Sequence, residues 1–357
     1  MNVHQFHPQV AYGDAASNQV LSLQHLLKDM GYRSEVFCEQ QPFLFEGKTR
    51  PIPQYERHSS PENVLLLHFT MDYSSAVMSW LEKIPDRKVL IYHNITPHTY
   101  LAGINEPLAE AARRGRSQLA RLKDICDAGW GVSAFNCREL AQRGWTNLAV
   151  LPIVFDPQRY AVRPDRTVLN RYRDGSPTIL FVGRVAPNKC LEDLILSFFY
   201  LKRFMRPDAR LLLVGAQGGM ERYSAFLQKL VHTLSLPDVV FAGHVSNAEL
   251  MAYYRCASVY LSLSEHEGFG VPLLESMHFG LPTIAYKAAA IPETLGNSGV
   301  LVNEKNYPAI AELINLLIED DALRSLIVAG QRNRVRDFLP ESVAARLRAL
   351  LGDLETE

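Results

Sequence analysis

The chain has 357 residues, 47% of them apolar and 21% charged, with a formal net charge of −1. Those values fit a soluble protein of two domains, each about 150–180 residues, and offer no overall field for nucleic acid. Five scattered cysteines (Cys38, Cys126, Cys137, Cys190, Cys256) never fall at CxxC spacing, which argues against a disulfide framework or a zinc site.

The opening "MNVHQFHPQV" lacks the basic cluster and apolar run of a signal peptide. No stretch approaches the roughly 18 apolar residues of a membrane span. The expected setting is therefore cytoplasmic. The first helical pattern is "SNQVLSLQHLLKDMG", with Ser17 as candidate N-cap and Gly31 as terminator. Gly13 and Asp14 precede it in a loop. Buried strands or strand ends follow at "VLLLHF" (64–69), "KVLIYH" (88–93), "GWGVS" (129–133) and "LAVLPIV" (148–154). Near-continuous apolar strands alternating with amphipathic helices predict an α/β fold with parallel sheets covered on both faces.

A polar stretch, residues 156–176, reads as a linker between domains at 1–155 and 177–338. Beyond it the rhythm restarts with "PTILFVGR", "ARLLLVGA", "DVVFAGHV", "ASVYLSLSE", "LPTIAY" and "SGVLV". The last segment holds only helix patterns, broken by Pro340. Open sheets of this kind bind ligands at the carboxyl ends of their strands, so the residues at those ends decide the ligand.

"HEGFGVPLLES" (266–276) stands at one such end. Pro272 suits a first helical turn, so the backbone around Gly268, Phe269, Gly270 and Val271 leads into a helix N-terminus, where anions bind. Carboxylates do not bind phosphate. Glu267 and Glu275 suit sugar hydroxyls instead, although Glu275 could equally serve the helix dipole and the glycines a simple turn. "ILFVGRVAPNKCLEDLI" (179–195) places Arg184 at a strand end and Lys189 at the next helix entry. Two cations one short loop apart can converge on a diphosphate.

Together, "EGFGVPLLE" and "FVGRVAPNKCLEDLI" resemble the retaining GT-B glycosyltransferases of family 4, the glycosyl transferases group 1. The likeness extends over nearly the whole chain, through "VLPIVFDPQRY", "DVVFAGHVSNAEL" and "AIPETLGNSGVLV". It implies two Rossmann-like domains facing each other across a cleft, with helix 339–357 returning to the first. It implies a nucleotide diphosphate sugar as donor and a saccharide or lipid-linked saccharide as acceptor. Arg184 and Lys189 would neutralise the leaving diphosphate, Glu275 would hold the ribose, and Glu267 would contact the donor sugar. Gly183 and the Gly268–Val271 backbone would meet the sugar and distal phosphate. Gly243, His244 and Val245 would lie beside the base.

In the first domain the resemblance implies that the Gly13–Asp14 loop approaches the donor phosphates; the family's double glycine is reduced here to Gly13-Asp14, so Asp14 could face the acceptor instead. His93 would stand beside the reacting sugar, with Asn94 and Thr96 as acceptor contacts. A structural histidine and a capping Asp remain the plainer alternatives. Ser133 reads as a helix cap. Arg113, Arg114, Arg116, Arg121 and Lys123 could form a basic face that meets anionic membrane, or a solvated helix surface. No Asp-x-Asp occurs, in keeping with a metal-independent transferase that needs no cofactor. The stretches "GDAASNQVLSLQHLLKDMGYRSEVFCE" and "YHNITP" resemble bacterial polysaccharide enzymes, a resemblance that implies mannosyl or rhamnosyl transfer. The alternatives are a nucleotide-sugar epimerase, a disaccharide synthase and a non-catalytic nucleotide-sugar sensor.

Overall fold

The computed structural model describes residues 1–11, 14–40 and 47–356. It divides into two compact units. The first comprises residues 1–98, 107–155 and 338–357, and the second residues 99–106 and 156–337.

The first unit is built from β1 (Val3–Phe6), α1 (Ala15–Asp29), β2 (Val36–Cys38), β3 (Arg50–Pro51), β4 (Val64–Phe69), α2 (Ser75–Leu81) and β5 (Arg87–Tyr92). Then come α3 (Glu106–Lys123), β6 (Ala128–Gly131), α4 (Ala134–Ala141) and β7 (Leu148–Val150). Its seven strands form one parallel sheet in the order β3-β2-β1-β4-β5-β6-β7. Every residue of "VLLLHF" in β4 is buried, as a central strand covered on both faces requires.

The second unit begins in the polar stretch, with a 3-10 turn at Pro157–Tyr160 and α5 (Arg166–Tyr172). It continues through β8 (Thr178–Val182), α6 (Leu191–Phe204), β9 (Arg210–Val214), α7 (Glu221–Thr233), β10 (Val239–Gly243) and α8 (Asn247–Cys256). β11 (Val259–Ser262), α9 (Val271–His278), β12 (Thr283–Tyr286), α10 (Ile291–Leu295), β13 (Val300–Val302), α11 (Tyr307–Glu319) and α12 (Asp321–Val335) complete it. The sheet is again parallel, ordered β10-β9-β8-β11-β12-β13. Each of the six apolar runs expected after residue 176 is one of these strands. Its core gathers Ile179, Phe181, Leu211, Leu213 and Leu261 from the strands and Leu194, Phe198 and Ile314 from the helices.

α13 (Pro340–Thr356) belongs to the first unit, where Arg346 Nε donates to the Val150 carbonyl at 3.1 Å. Pro340 opens this helix instead of breaking one, since its missing N–H costs nothing in the first turn. Two boundaries differ from expectation. α1 is capped by Asp14, whose Oδ2 accepts from the Ser17 N–H and hydroxyl, both at 2.8 Å. Ser17 is thus inside the helix and buried. α9 starts one residue early, at Val271, because Gly270 turns the chain at φ +90°. A Cβ there would also sit 2.9 Å from Leu273 Cδ1, so only glycine fits without strain.

Candidate functional site

Four loops meet at the carboxyl edge of the second unit's sheet. Those after β8 and β11, on neighbouring strands, are clamped by Asn188: its carbonyl accepts from Glu265 N–H at 3.0 Å, and its Nδ2 donates to the His266 carbonyl at 3.0 Å. This brings Lys189 to Glu267, with Nζ 2.6 Å from Oε1 and both side chains mostly buried. Arg184, on the same β8 loop, is exposed and donates through Nη2 to the Gly218 carbonyl at 3.1 Å in the loop after β9. Gly183 packs against Gly215 at the ends of β8 and β9. A Cβ on Gly215 would lie 1.9 Å from the Gly183 carbonyl oxygen, so that contact admits only glycine. Gly243, ending β10, accepts from Gly215 N–H at 2.9 Å; His244 beyond it is exposed and Val245 partly so.

The Gly268–Val271 backbone leads directly into the N-terminus of α9. Phe269 is buried and its carbonyl accepts the Thr294 hydroxyl. Five residues into α9, Glu275 is buried with both oxygens engaged. Oε1 accepts from Tyr160 at 2.8 Å and Oε2 from Tyr254 at 2.5 Å. Burial pushes its carboxyl up, and the two tyrosine hydroxyls pull it back. Each oxygen has a second acceptor position.

Behind the loops lies a partly buried charge knot. Lys305 bridges Asp193 Oδ2 at 2.6 Å and Glu265 Oε1 at 2.7 Å, while Tyr307 donates to Asp193 at 2.7 Å. Cys190, Asp193 and Glu265 present ligand atoms within 4.8 Å of one another, a spacing suited to a metal. The Lys305 ammonium already neutralises both carboxylates, and burial raises the Cys190 thiol to about 11. This donor set is poor for a cation.

In the first unit His93 follows β5, and its Nε2 lies 2.9 Å from His68 Nδ1. Asn94 takes a left-handed conformation, φ +81°. Its Nδ2 donates to Asn136 Oδ1 at 2.9 Å and to Glu139 Oε2 at 2.8 Å. Arg116 binds Glu139 at 2.6 Å and the Ile95 carbonyl at 2.6 Å, fixing the same loop. Thr96 is partly exposed beside it. Ser133 caps α4, accepting from Asn136 N–H at 3.2 Å. Asp14 caps α1, as above, and Gly13 lies outside the described residues.

Residues 168–334 match the family model described as glycosyl transferases group 1. That segment is similar to the group 1 glycosyl transferases.

The chain is 29% identical over 288 residues to a GDP-mannose-dependent alpha-(1-6)-phosphatidylinositol monomannoside mannosyltransferase of Mycobacterium tuberculosis, covering 72% of this chain and 73% of that one. It is 26% identical over 160 residues to the O-antigen chain mannosyltransferase B of Escherichia coli, covering 44% and 41% of the two chains. In structure it is similar to Anabaena HepE in complex with UDP and glucose, at a TM-score of 0.76, 17% identity, and coverage of 99% and 100%. A sucrose-phosphate synthase from Thermosynechococcus elongatus gives 0.74 at 17% identity, covering each chain fully (100%). These likenesses establish a GT-B fold of two Rossmann-like domains.

The candidate site contains residues that sequence reasoning missed. Tyr160 and Tyr254 are remote in sequence from Glu275, and nothing local marks them as its partners. Asn188 and Lys305 are equally silent, although Asn188 stands inside the quoted "VAPNK" motif. Of the two readings of the α3 cations, their ion pairs favour the solvated helix surface. Arg113 pairs with Glu110, Arg114 with Asp72, Arg116 with Glu139, Arg121 with Glu82 and Lys123 with Asp124. Each cation has a carboxylate partner, so no uncompensated basic surface supports membrane contact there. Among the described residues no helix is long and apolar enough to cross a membrane.

Proposed function

We propose that the protein is a retaining glycosyltransferase that moves mannose, with rhamnose as the second choice, from a nucleoside diphosphate sugar to a saccharide or lipid-linked saccharide acceptor in surface polysaccharide synthesis. The observation that carries this is the Lys189–Glu267 contact, 2.6 Å, beside the α9 N-terminus and on the Arg184 loop. A fixed cation, a second exposed one and a helix N-terminus suit a departing diphosphate. Glu267 suits the donor sugar's hydroxyls, and Glu275, with acceptor capacity remaining, suits the ribose. Main-chain atoms at Gly243–Val245 suit the base. Gly183 gives the backbone close access to the ligand. His93 serves the reacting sugar, and Asn94 and Thr96 the acceptor side. The names of the mannosyltransferase relatives and of the UDP-bound HepE structure support a nucleotide-sugar donor.

Charge grows on the leaving phosphate as the glycosidic bond lengthens. Preorganised cations aimed at it contribute most to lowering the barrier. Arg184, Lys189 and the α9 N-terminus supply that charge from the protein, so the reaction proceeds without a metal. A donor phosphate oxygen takes the acceptor proton, with attack on the same face as departure, so no side chain acts as general base.

Lys189→Ala tests the assignment. Diphosphate release and sugar transfer from GDP-mannose, UDP-glucose and dTDP-rhamnose should fall by at least about 100-fold for the cognate donor, with a native circular-dichroism spectrum, although the melting temperature should drop because Glu267 loses its cation. Near-normal turnover overturns it. Undiminished turnover of the unsubstituted enzyme in EDTA is the matching expectation for metal independence. Nucleotide-sugar epimerisation without any acceptor would favour the epimerase alternative.

A further inference from the structure

We propose that Gln5 and His68 are positioning residues that fix the tautomer of His93, so that His93 presents Nδ1 as a hydrogen-bond acceptor to a hydroxyl of the bound sugar. This rests on the sugar-transfer reading above.

The inference follows a chain of hydrogen bonds across three neighbouring strands, β1, β4 and β5. Gln5 Nε2 donates to the Val20 carbonyl at 3.1 Å. A carbonyl cannot donate, so the amide has one orientation, with Oε1 2.9 Å from His68 Nε2. Oε1 only accepts, and His68 Nε2 must therefore carry the proton. A neutral imidazole carries a single proton, which leaves His68 Nδ1 as a lone pair. That lone pair lies 2.9 Å from His93 Nε2, which must donate. His93 Nδ1 is then the acceptor. Each step is forced by the one before it.

Neutrality of the rings is the condition, and the surroundings meet it. His68 is fully buried, and burial with the neighbouring His93 and His7 drives its pKa well below the ordinary value. Burial and His7 bring His93 down to about 3, with Asp14 opposing. His7, following β1, completes the array. Its ring centre is 6.1 Å from that of His68, and its Nδ1 accepts from Gln9 N–H at 3.3 Å. The His7 proton is thus on Nε2, which is buried and has no partner. His68 thus has beside it His7, with an unused donor, and is hydrogen-bonded to His93, whose Nδ1 is left as an acceptor. A hydroxyl, at once donor and acceptor, is the chemical class that suits such a pair.

Long-range nitrogen–proton NMR of the full chain with labelled histidine tests the tautomers directly. Assignments come from His68→Asn and His93→Asn spectra. Both His68 and His93 should show the proton on Nε2. A proton on Nδ1 of either ring overturns the relay, whatever the enzyme's activity. Gln5→Met removes the anchoring acceptor, and the His93 signals should then split between two tautomers. Transfer kcat should fall about tenfold, the worth of one hydrogen bond. Affinity for the free nucleoside diphosphate should not change, because its ligands are in the second unit. Gln5→Glu keeps an acceptor at the same place and should restore the single tautomer. If Gln5→Met does not fold, the spectrum of the unsubstituted chain still decides. Wild-type transfer by His93→Ala would overturn the hydroxyl contact alone, whereas wild-type transfer by Lys189→Ala would remove the reading beneath it.

Discussion

The two units place opposite chemistry at the same end of the same kind of sheet. In the first, the carboxyl ends of β1, β4 and β5 carry His7, His68 and His93; burial lowers the pKa of all three rings, and His68 is hydrogen-bonded to His93. In the second, the ends of β8 and β11 carry Lys189 on Glu267, backed by Lys305 between Asp193 and Glu265. Burial explains both. A histidine loses its charge when desolvated, at modest cost, whereas a lysine or glutamate keeps its charge only when paired. A neutral end suits hydroxyl recognition. A charged end suits a diphosphate. Parallel-sheet topology alone does not choose between them; the residues after each strand do.

The sharpest test of that contrast is an ion pair on the neutral side. Arg116–Glu139 is largely buried, at 18% and 11% side-chain exposure, and it supports the loop after His93. Arg116→Met leaves Glu139 buried without its cation, a loss of about 3 kcal/mol. Chemical denaturation should show that loss. A smaller second-unit effect is expected from Tyr254→Phe, which strips one donor from the buried Glu275 carboxylate. Its cost is about 2 kcal/mol, visible in the same assay, with ribose-containing ligands binding more weakly.

Acid should separate the two units. His4 is lowered to about 4 and His93 to about 3, both chiefly by burial. The unfolded chain takes up these protons near the ordinary value of 6.5, and the folded chain does not. Stability from these groups is therefore whole above pH 6.5 and is lost as pH falls toward their folded values. Each fully titrating ring steepens the loss by up to about 1.4 kcal/mol per pH unit. Glu275 has the opposite sign. Its folded value is raised, so acidification through that value relieves a burial cost. Hydrogen exchange between pH 6.5 and 5 should show amides of β1, β4 and β5 losing protection before those of β8 and β11. Simultaneous loss would break the comparison.

How much of this was legible beforehand depended on where the partners lie. "VLLLHF" and the six later apolar runs announced their strands because both faces are buried, leaving a continuous apolar signal. β2 and β3, three and two residues long, are too short to carry one. Asp14 and Ser17 are both competent caps, and local pattern could not rank them; three-dimensional geometry gave the role to Asp14. Lys189 and Glu267 were visible through their motifs, but their contact spans 78 residues. Tyr160 and Glu275 are 115 apart. The α3 cations were ambiguous for the same reason. Five basic residues look like a patch when the acids that neutralise three of them, Asp72, Glu82 and Glu139, are far away in sequence.

Arg121 on that helix gives the smallest expected effect and isolates burial from charge. It pairs with Glu82 as Arg116 pairs with Glu139, yet the side chains are 56% and 37% exposed. Water screens both charges and restores their hydration when the pair is broken, so the contact contributes below about 1 kcal/mol. Arg121→Ala should leave the denaturation midpoint within error of the parent, and 0.5 M salt should erase any residual difference. Sedimentation with phosphatidylserine vesicles should be unaffected too, because a cation already matched by a carboxylate adds little attraction to an anionic surface. A marked loss of vesicle binding in Arg121→Ala would restore the membrane role that the ion pairs remove. Two arginines five residues apart on one helix would then differ not in burial alone but in what they face.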